Sequence, residues 1–97
     1  MAIVAVSLAP LGEGTSVSRH VAAALRVLRS QQRVRFQPGP MFTTLEGELA
    51  DIFPLILRMQ EAVFEAGAQR VSTVIKIDER RDKRATMESK LAAVAEP

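Results

Sequence analysis

Two kinds of apolar periodicity alternate along this chain of 97 residues, and their order restricts the fold more than any other feature. A nearly continuous apolar run at 2–9 predicts a strand covered on both faces. In 16–31 and 49–67, apolar residues recur at the spacing of an amphipathic helix. Further strands are predicted at 33–37, 41–46 and 70–78, and a short closing helix is predicted after Thr86.

The resulting order, β-α-β-β-α-β followed by a helix, predicts an α+β fold. It is that of a ferredoxin-like sandwich with an antiparallel four-stranded sheet and an additional C-terminal helix. The preference for right-handed crossovers favours the same topology. No segment resembles a long linker, so we expect one domain over residues 1–97.

Polar and small residues predict where the helices begin and end. Thr15 or Ser16 is expected to cap the first helix, because either hydroxyl can accept from a free backbone N–H. Pro54 is tolerated only near a helix start, so Asp51 is the expected cap of the second helix. Gly67 is the expected residue at its C-terminal end.

Alternation along the strands assigns their residues to the two faces of the sheet. The face toward the helices is expected to hold Val4, Val6, Leu8, Met41, Thr43, Leu45, Val71, Thr73, Ile75 and Ile77. The opposite, open face is expected to hold Ile3, Ala5, Ser7, Phe42, Thr44, Glu46, Ser72, Val74 and Lys76. This face mixes apolar and polar groups, which is typical of a subunit interface or a small-molecule site. We therefore predict that two subunits pack through it or along an adjacent edge.

Lys76 interrupts the apolar run of the last strand, and a buried unpaired ammonium would be too costly to keep. It is either a lysine that protects an edge strand from pairing, a ligand contact, or the ion-pair partner of Glu46. The pattern alone leaves these alternatives open.

Composition excludes several kinds of chemistry. The chain has no cysteine, which excludes disulfides, thiolate metal sites and cysteine nucleophiles. His20 is the single histidine and is interpreted as a helix-surface residue, so no metal site, cofactor or catalytic residue is predicted. The glycine-rich loop 12–16 lacks the lysine of a nucleotide phosphate loop, and a capped turn is the favoured interpretation.

Partners and location follow from charge and hydropathy. The basic residues are scattered among acidic ones and Phe42 is the one aromatic assigned to the open face, which argues against a nucleic-acid partner. The run Arg80–Arg84 is interpreted as a solvated loop. The N-terminal apolar run is too short to span a membrane and lacks a preceding basic region, so a cytoplasmic protein without a membrane partner is expected.

Four ordered segments, SLAPLGEGTS at 7–16, PMFTTLEG at 40–47, EAVFEAGAQRV at 61–71 and IKIDERRDK at 75–83, carry a resemblance over nearly the whole chain. The chain resembles the small thiamine-binding protein family, which is related to the YkoF-like proteins. The resemblance implies a ferredoxin-like fold, dimers assembled into tetramers, and binding of thiamine or its hydroxymethylpyrimidine portion. It implies no established catalytic activity.

The resemblance also implies a set of ligand contacts. The polar positions that match the family are Ser7, Thr43, Thr44, Glu46, Lys76 and Asp78. Phe42 stands where the family usually has glycine, and it is expected either to stack on the pyrimidine or to fill the pocket. Gln60 replaces the histidine that is usual in the family.

The leading interpretation is a non-catalytic, oligomeric binding protein for thiamine or a related aminopyrimidine. One alternative is a structural or regulatory interaction module in which the open face is only a subunit interface. Another is a small enzyme of thiamine metabolism, against which stands the lack of a nucleophile and base in sequence.

Overall fold

Residues 1–95 are described by a computed structural model, in which two helices cover one face of a four-stranded antiparallel sheet. The elements are β1 (Ala2–Pro10), α1 (Ser18–Arg29), β2 (Arg35–Gln37), β3 (Thr43–Gly47), α2 (Leu49–Glu65), β4 (Val71–Glu79) and α3 (Met87–Val94). The strands lie in the order β2-β3-β1-β4. This confirms the predicted ferredoxin-like fold. Within residues 1–95, no helix is both long enough and apolar enough to cross a membrane.

The strand register confirms the predicted division of the central strands between the two sheet faces. Val4 lies opposite Leu45 of β3 and Ile77 of β4, and Val4 and Leu45 are fully buried beneath the helices. Ile3, one residue earlier, lies opposite Glu46 and Asp78, so these three side chains share the other face.

The core lies between the sheet and helices α1 and α2. Besides the strand residues, it contains Leu28 of α1 and Ile52, Met59 and Val63 of α2. The three positions of α2 are spaced seven and four residues apart, which places them on one helix side.

Three residues predicted for the core are exposed instead. Met41 is 79% exposed because β3 begins at Thr43 and the preceding residues form a loop. Ile75 and Ile77 are 37% and 43% exposed. They point to the predicted face, but β4 is an edge strand without a neighbour on its outer side.

Two of the predicted helix caps are wrong. Val17, and not Thr15 or Ser16, precedes α1, which begins at Ser18 without a side-chain cap. The loop before it turns through Gly12 and Gly14, at φ of 81° and 82°. Asp51 lies in the first turn of α2 and pairs with Arg33 at 3.2 Å.

The predicted end of α2 is confirmed. Gly67 has φ of 113°, which suits glycine, and its N–H donates to the Phe64 carbonyl. The Ala68 N–H donates to the Val63 carbonyl, which completes a Schellman motif. The start of α2 at Leu49 leaves Pro54 inside the helix as its sixth residue.

Candidate functional site

Helix α3 docks on the open face of the sheet, opposite the other two helices. Its first residue, Met87, is buried, and the Met87 backbone N–H donates to Oε1 of Glu46 at 2.8 Å. Thr86 and Ser89 form a reciprocal capping box at the helix start. Leu91 and Val94 remain 61% and 76% exposed, so α3 is attached mainly through its first turn and through polar contacts.

Glu46 is the buried polar centre of this face, with only 2% of its surface exposed. Its Oε2 lies 2.7 Å from Nη1 of Arg35, the residue directly opposite on β2. Arg35 also binds Glu88 of α3. Both carboxylate oxygens of Glu46 are therefore engaged by groups of the same chain, one from the neighbouring strand and one from α3.

Lys76 is not the partner of Glu46. It lies on β4 opposite Ala5, one row further along the sheet, and its side chain is exposed. Because β4 is an edge strand, the protective edge-lysine interpretation agrees with this position.

Asp78 provides a second attachment for α3. Its Oδ2 lies 2.5 Å from Nζ of Lys90. The hydrogen bond and positive charge of Lys90 lower the pKa of Asp78, and the hydrogen bond from Arg35 similarly lowers the pKa of Glu88. Both carboxylates are more than half exposed, at 54% for Asp78 and 63% for Glu88, so these ion pairs are sensitive to salt.

Two cavities flank α3 on the open face. The smaller one, about 300 Å³, is lined by Ile3, Gln37, Pro38, Gly39, Thr44, Met87, Lys90 and Leu91. The larger one, about 620 Å³, is lined by Met1, Ile3, Asp78, Arg80, Lys83, Arg84, Ala85, Ser89, Lys90, Ala93 and Val94. Ile3 and Lys90 belong to both linings, so the cavities are adjacent.

The structure brings together some of the seven predicted ligand contacts. Thr44 lines the smaller cavity and Asp78 the larger one, while Glu46 lies buried in the row shared with Ile3 and Asp78. Lys76 shares the open face with them.

Three predicted contacts lie elsewhere. Ser7 is four residues along β1 from Ile3, about 13 Å at a rise of ~3.3 Å per residue. Thr43 lies opposite the buried Val6 and points toward the helices. Phe42 precedes β3, is 38% exposed, and lines neither cavity beside α3. Ser7 and Thr43 instead line a third cavity of about 240 Å³ next to α1.

Arg35, Met87 and Lys90 are the site residues that sequence reasoning missed. Arg35 lies in an alternating strand pattern that predicts exposure but not a partner. Met87 and Lys90 lie in a closing helix whose docking surface is not encoded in its own apolar pattern. The signal for Arg35 would have been the strand register, which places Arg35, Glu46, Ile3 and Asp78 in one row.

Gly39 shapes the wall of the smaller cavity. A Cβ atom at this position would lie 2.5 Å from the backbone oxygen of Phe42, so the loop before β3 closes this tightly only around glycine. Pro38 and Gly39 thereby become part of the candidate site.

Two further residues have different roles from those expected. His20 was predicted at the helix surface, which is wrong: it is 3% exposed, and neither ring nitrogen has a hydrogen-bond partner within residues 1–95. Gln60 accepts a hydrogen bond of 2.6 Å from the Thr73 hydroxyl, which links α2 to β4 on the helix side of the sheet. Across residues 1–95, no three His, Asp or Glu side chains are grouped as ligands of a metal ion.

The family model described as thiamine-binding protein matches residues 4–95. The chain belongs to this family. YqgV of Bacillus subtilis, an UPF0045 protein, is 45% identical over 98 residues, which cover 97% of this chain and 94% of the relative.

Solved structures agree with the fold. The crystal structure of the hypothetical protein MJ1052 from Methanocaldococcus jannaschii has a TM-score of 0.88 at 36% identity, covering 96% of this chain and 94% of that one. A Thermotoga maritima protein, provisionally named for thiamine biosynthesis or salvage, has a TM-score of 0.81 at 22% identity, with coverage of 97% and 98%. At that identity the likeness supports the fold alone.

Proposed function

We propose that this protein is a non-catalytic binding protein for thiamine or its hydroxymethylpyrimidine portion, which it holds on the open face of the sheet. The observation that carries the proposal is the match to the thiamine-binding family over residues 4–95. The family is named for binding and not for a reaction, which supports a carrier, store or sensor over an enzyme.

The smaller cavity is the proposed place for the pyrimidine ring. Its volume of about 300 Å³ lies at the lower end of the range of small-molecule sites. Ile3, Met87 and Leu91 offer apolar surface to the ring, while the Thr44 hydroxyl and the Gln37 amide offer hydrogen bonds to its nitrogen atoms and amino group.

In this proposal, Glu46 does not contact the ligand but holds in place the residues around the cavity. Its oxygens hold Arg35 and the first N–H of α3, so the aminopyrimidine reaches the carboxylate only if α3 moves away. The contacts proposed for Ser7, Phe42, Thr43, Lys76 and Asp78 stay predictions, to be tested by single alanine variants in calorimetry.

A homo-oligomer is part of the same proposal. β4 is a nine-residue edge strand, and Val74, Ile75 and Ile77 expose 52%, 37% and 43% of their surfaces on its two faces. Exposed apolar edges of this length favour pairing with a second copy. We expect a dimer or tetramer in light scattering at micromolar concentration, and a monomer mass would contradict this.

Thermal unfolding with added ligand tests the binding proposal. Thiamine or hydroxymethylpyrimidine at about a hundred times its dissociation constant adds ~2.7 kcal/mol of stability, enough to raise the Tm of a domain of this size by about 11–22 °C. The isolated thiazole alcohol, which lacks the pyrimidine, is the matched control and should leave the Tm unchanged. An unchanged Tm with every pyrimidine compound would contradict the proposal.

An interaction module without a ligand is the second candidate. It is favoured by one observation: both oxygens of Glu46 are already satisfied within the chain. This candidate predicts a stable oligomer whose Tm responds to none of the thiamine compounds.

A further inference from the structure

The segment after β4 turns one end of the open face strongly basic. The larger cavity is lined by Arg80, Lys83, Arg84, Lys90 and Met1, which carries the amino terminus, against the single carboxylate of Asp78. Such a concentration of positive charge within one cavity raises the local concentration of anions.

Most of these cations already have partners. Arg80 donates two hydrogen bonds to Asp82, at 2.6 and 2.7 Å, and thereby lowers the pKa of Asp82 to about 2. Lys90 pairs with Asp78, and the amino group of Met1 lies 3.4 Å from Glu48.

Lys83 and Arg84 differ from these neighbours. Neither forms an ion pair or a side-chain hydrogen bond with any of residues 1–95. The one carboxylate of the lining, Asp78, is neutralised by Lys90. The cavity therefore contains two cations whose charge is available to a ligand.

We propose that the larger cavity binds the phosphate group of a phosphorylated aminopyrimidine compound whose ring occupies the smaller cavity. The inference rests on the proposed function and names the ligand class of that site. Ile3 and Lys90 line both cavities, so one molecule can extend from the first into the second. Lys83 and Arg84 supply the charge-assisted hydrogen bonds that phosphate oxygens accept.

Charge also determines which thiamine compound fits. A phosphate monoester carries about −1.5 to −2 at neutral pH and complements the two free cations. Unphosphorylated thiamine carries a positive thiazolium ring, which the same cations repel. The cavity thus selects phosphate esters over the free alcohols.

Calorimetry on the full chain tests this selection with two matched pairs of ligands. The pairs are hydroxymethylpyrimidine with its phosphate and thiamine with its diphosphate. Each is titrated into the wild type, into the double variant Lys83→Gln/Arg84→Gln and into the control Arg26→Gln/Arg29→Gln, which removes the same charge from exposed positions of α1. We expect the wild type and the control to bind each phosphate ester at least about tenfold more tightly than its alcohol, a difference of ~1.4 kcal/mol.

The double variant should lose this preference while keeping its affinity for free hydroxymethylpyrimidine. Equal affinities for ester and alcohol in the wild type, or a preference that survives in the double variant, would overturn the inference and leave the proposed function intact. Binding of none of the four compounds would overturn both.

Discussion

The carboxylate of Glu46 accepts hydrogen bonds from two different elements, the guanidinium of Arg35 on β2 and the Met87 N–H of α3. A glutamine in its place keeps one acceptor oxygen but puts an amide N–H toward the other donor. A buried donor without an acceptor loses the full benefit of its hydrogen bond.

We therefore expect Glu46→Gln to lower the free energy of unfolding by about 2–3 kcal/mol in urea denaturation. Glu48→Gln is the matched control, because Glu48 has a side chain that is 63% exposed, and its only ion pair within residues 1–95 is with the amino terminus. The control should change stability by less than ~0.5 kcal/mol. Equal effects of the two substitutions would show that the buried contacts of Glu46 contribute little.

His20 offers the opposite case, a buried polar side chain without compensation. Both ring nitrogens lack hydrogen-bond partners within residues 1–95, so its burial costs free energy. His20→Leu should raise the free energy of unfolding by about 1–2 kcal/mol, whereas His20→Gln, which stays polar, should not. A loss of stability in the leucine variant would indicate that the imidazole makes a favourable contact.

At the scale of the element, α3 depends on few contacts. Its attachment consists of the buried Met87, the hydrogen bond to Glu46, and the ion pairs of Glu88 and Lys90 with Arg35 and Asp78. Because its exposed residues add little apolar burial, α3 should open more readily than α2.

Met87→Pro isolates the hydrogen bond to Glu46. Proline is tolerated at the first position of a helix, and the extended backbone of Thr86, with φ of −118° and ψ of 166°, suits a residue before proline. Met87→Ala removes the same side chain but keeps the N–H. We expect proteolysis within α3 to be about tenfold faster in the proline variant than in the alanine variant. This factor corresponds to the loss of ~1.4 kcal/mol from the free energy that holds α3 on the sheet. Equal cleavage rates would contradict a role of this hydrogen bond.

As the pH is lowered, α3 should detach from the sheet before the remainder of the domain unfolds. The pKa values of Asp78 and Glu88 are lowered in the folded protein, so their ion pairs stabilise docking above about pH 4, the ordinary carboxylate range. That stabilisation is lost as the pH falls through the lowered pKa values. NMR signals of α3 amides should move toward coil positions between pH 5 and pH 2, ahead of those of α2, and 1 M salt at pH 7 should weaken docking similarly. Simultaneous loss of both helices would contradict this order.

The apolar periodicities were sufficient to predict the order of the elements and the residues facing each side of β1 and β3. They were insufficient where an outcome depends on groups distant in sequence. Glu46 meets Met87 across 41 positions, and that contact exists only once the register has placed Arg35 beside them. The start of α2 was also mispredicted, because packing of the helix overrode the local preference of Pro54 for a first turn.

At the scale of the whole molecule, the two sheet faces serve different purposes. Helices α1 and α2 bury one face as the core, whereas α3 covers only part of the other and leaves two cavities beside it. We propose that residues 1–97 act as one domain, in which the core fixes the strand register and the register fixes the candidate site.

An NMR titration with hydroxymethylpyrimidine is the decisive test of the proposed pyrimidine site, since it detects both binding and its location. We expect saturable shift changes to concentrate at the backbone amides of Ile3, Thr44 and Lys90, around the smaller cavity, while amides on the outer sides of α1 and α2 stay unchanged. Changes concentrated on the α1 and α2 side, or no changes at millimolar ligand, would contradict a pyrimidine site on the open face.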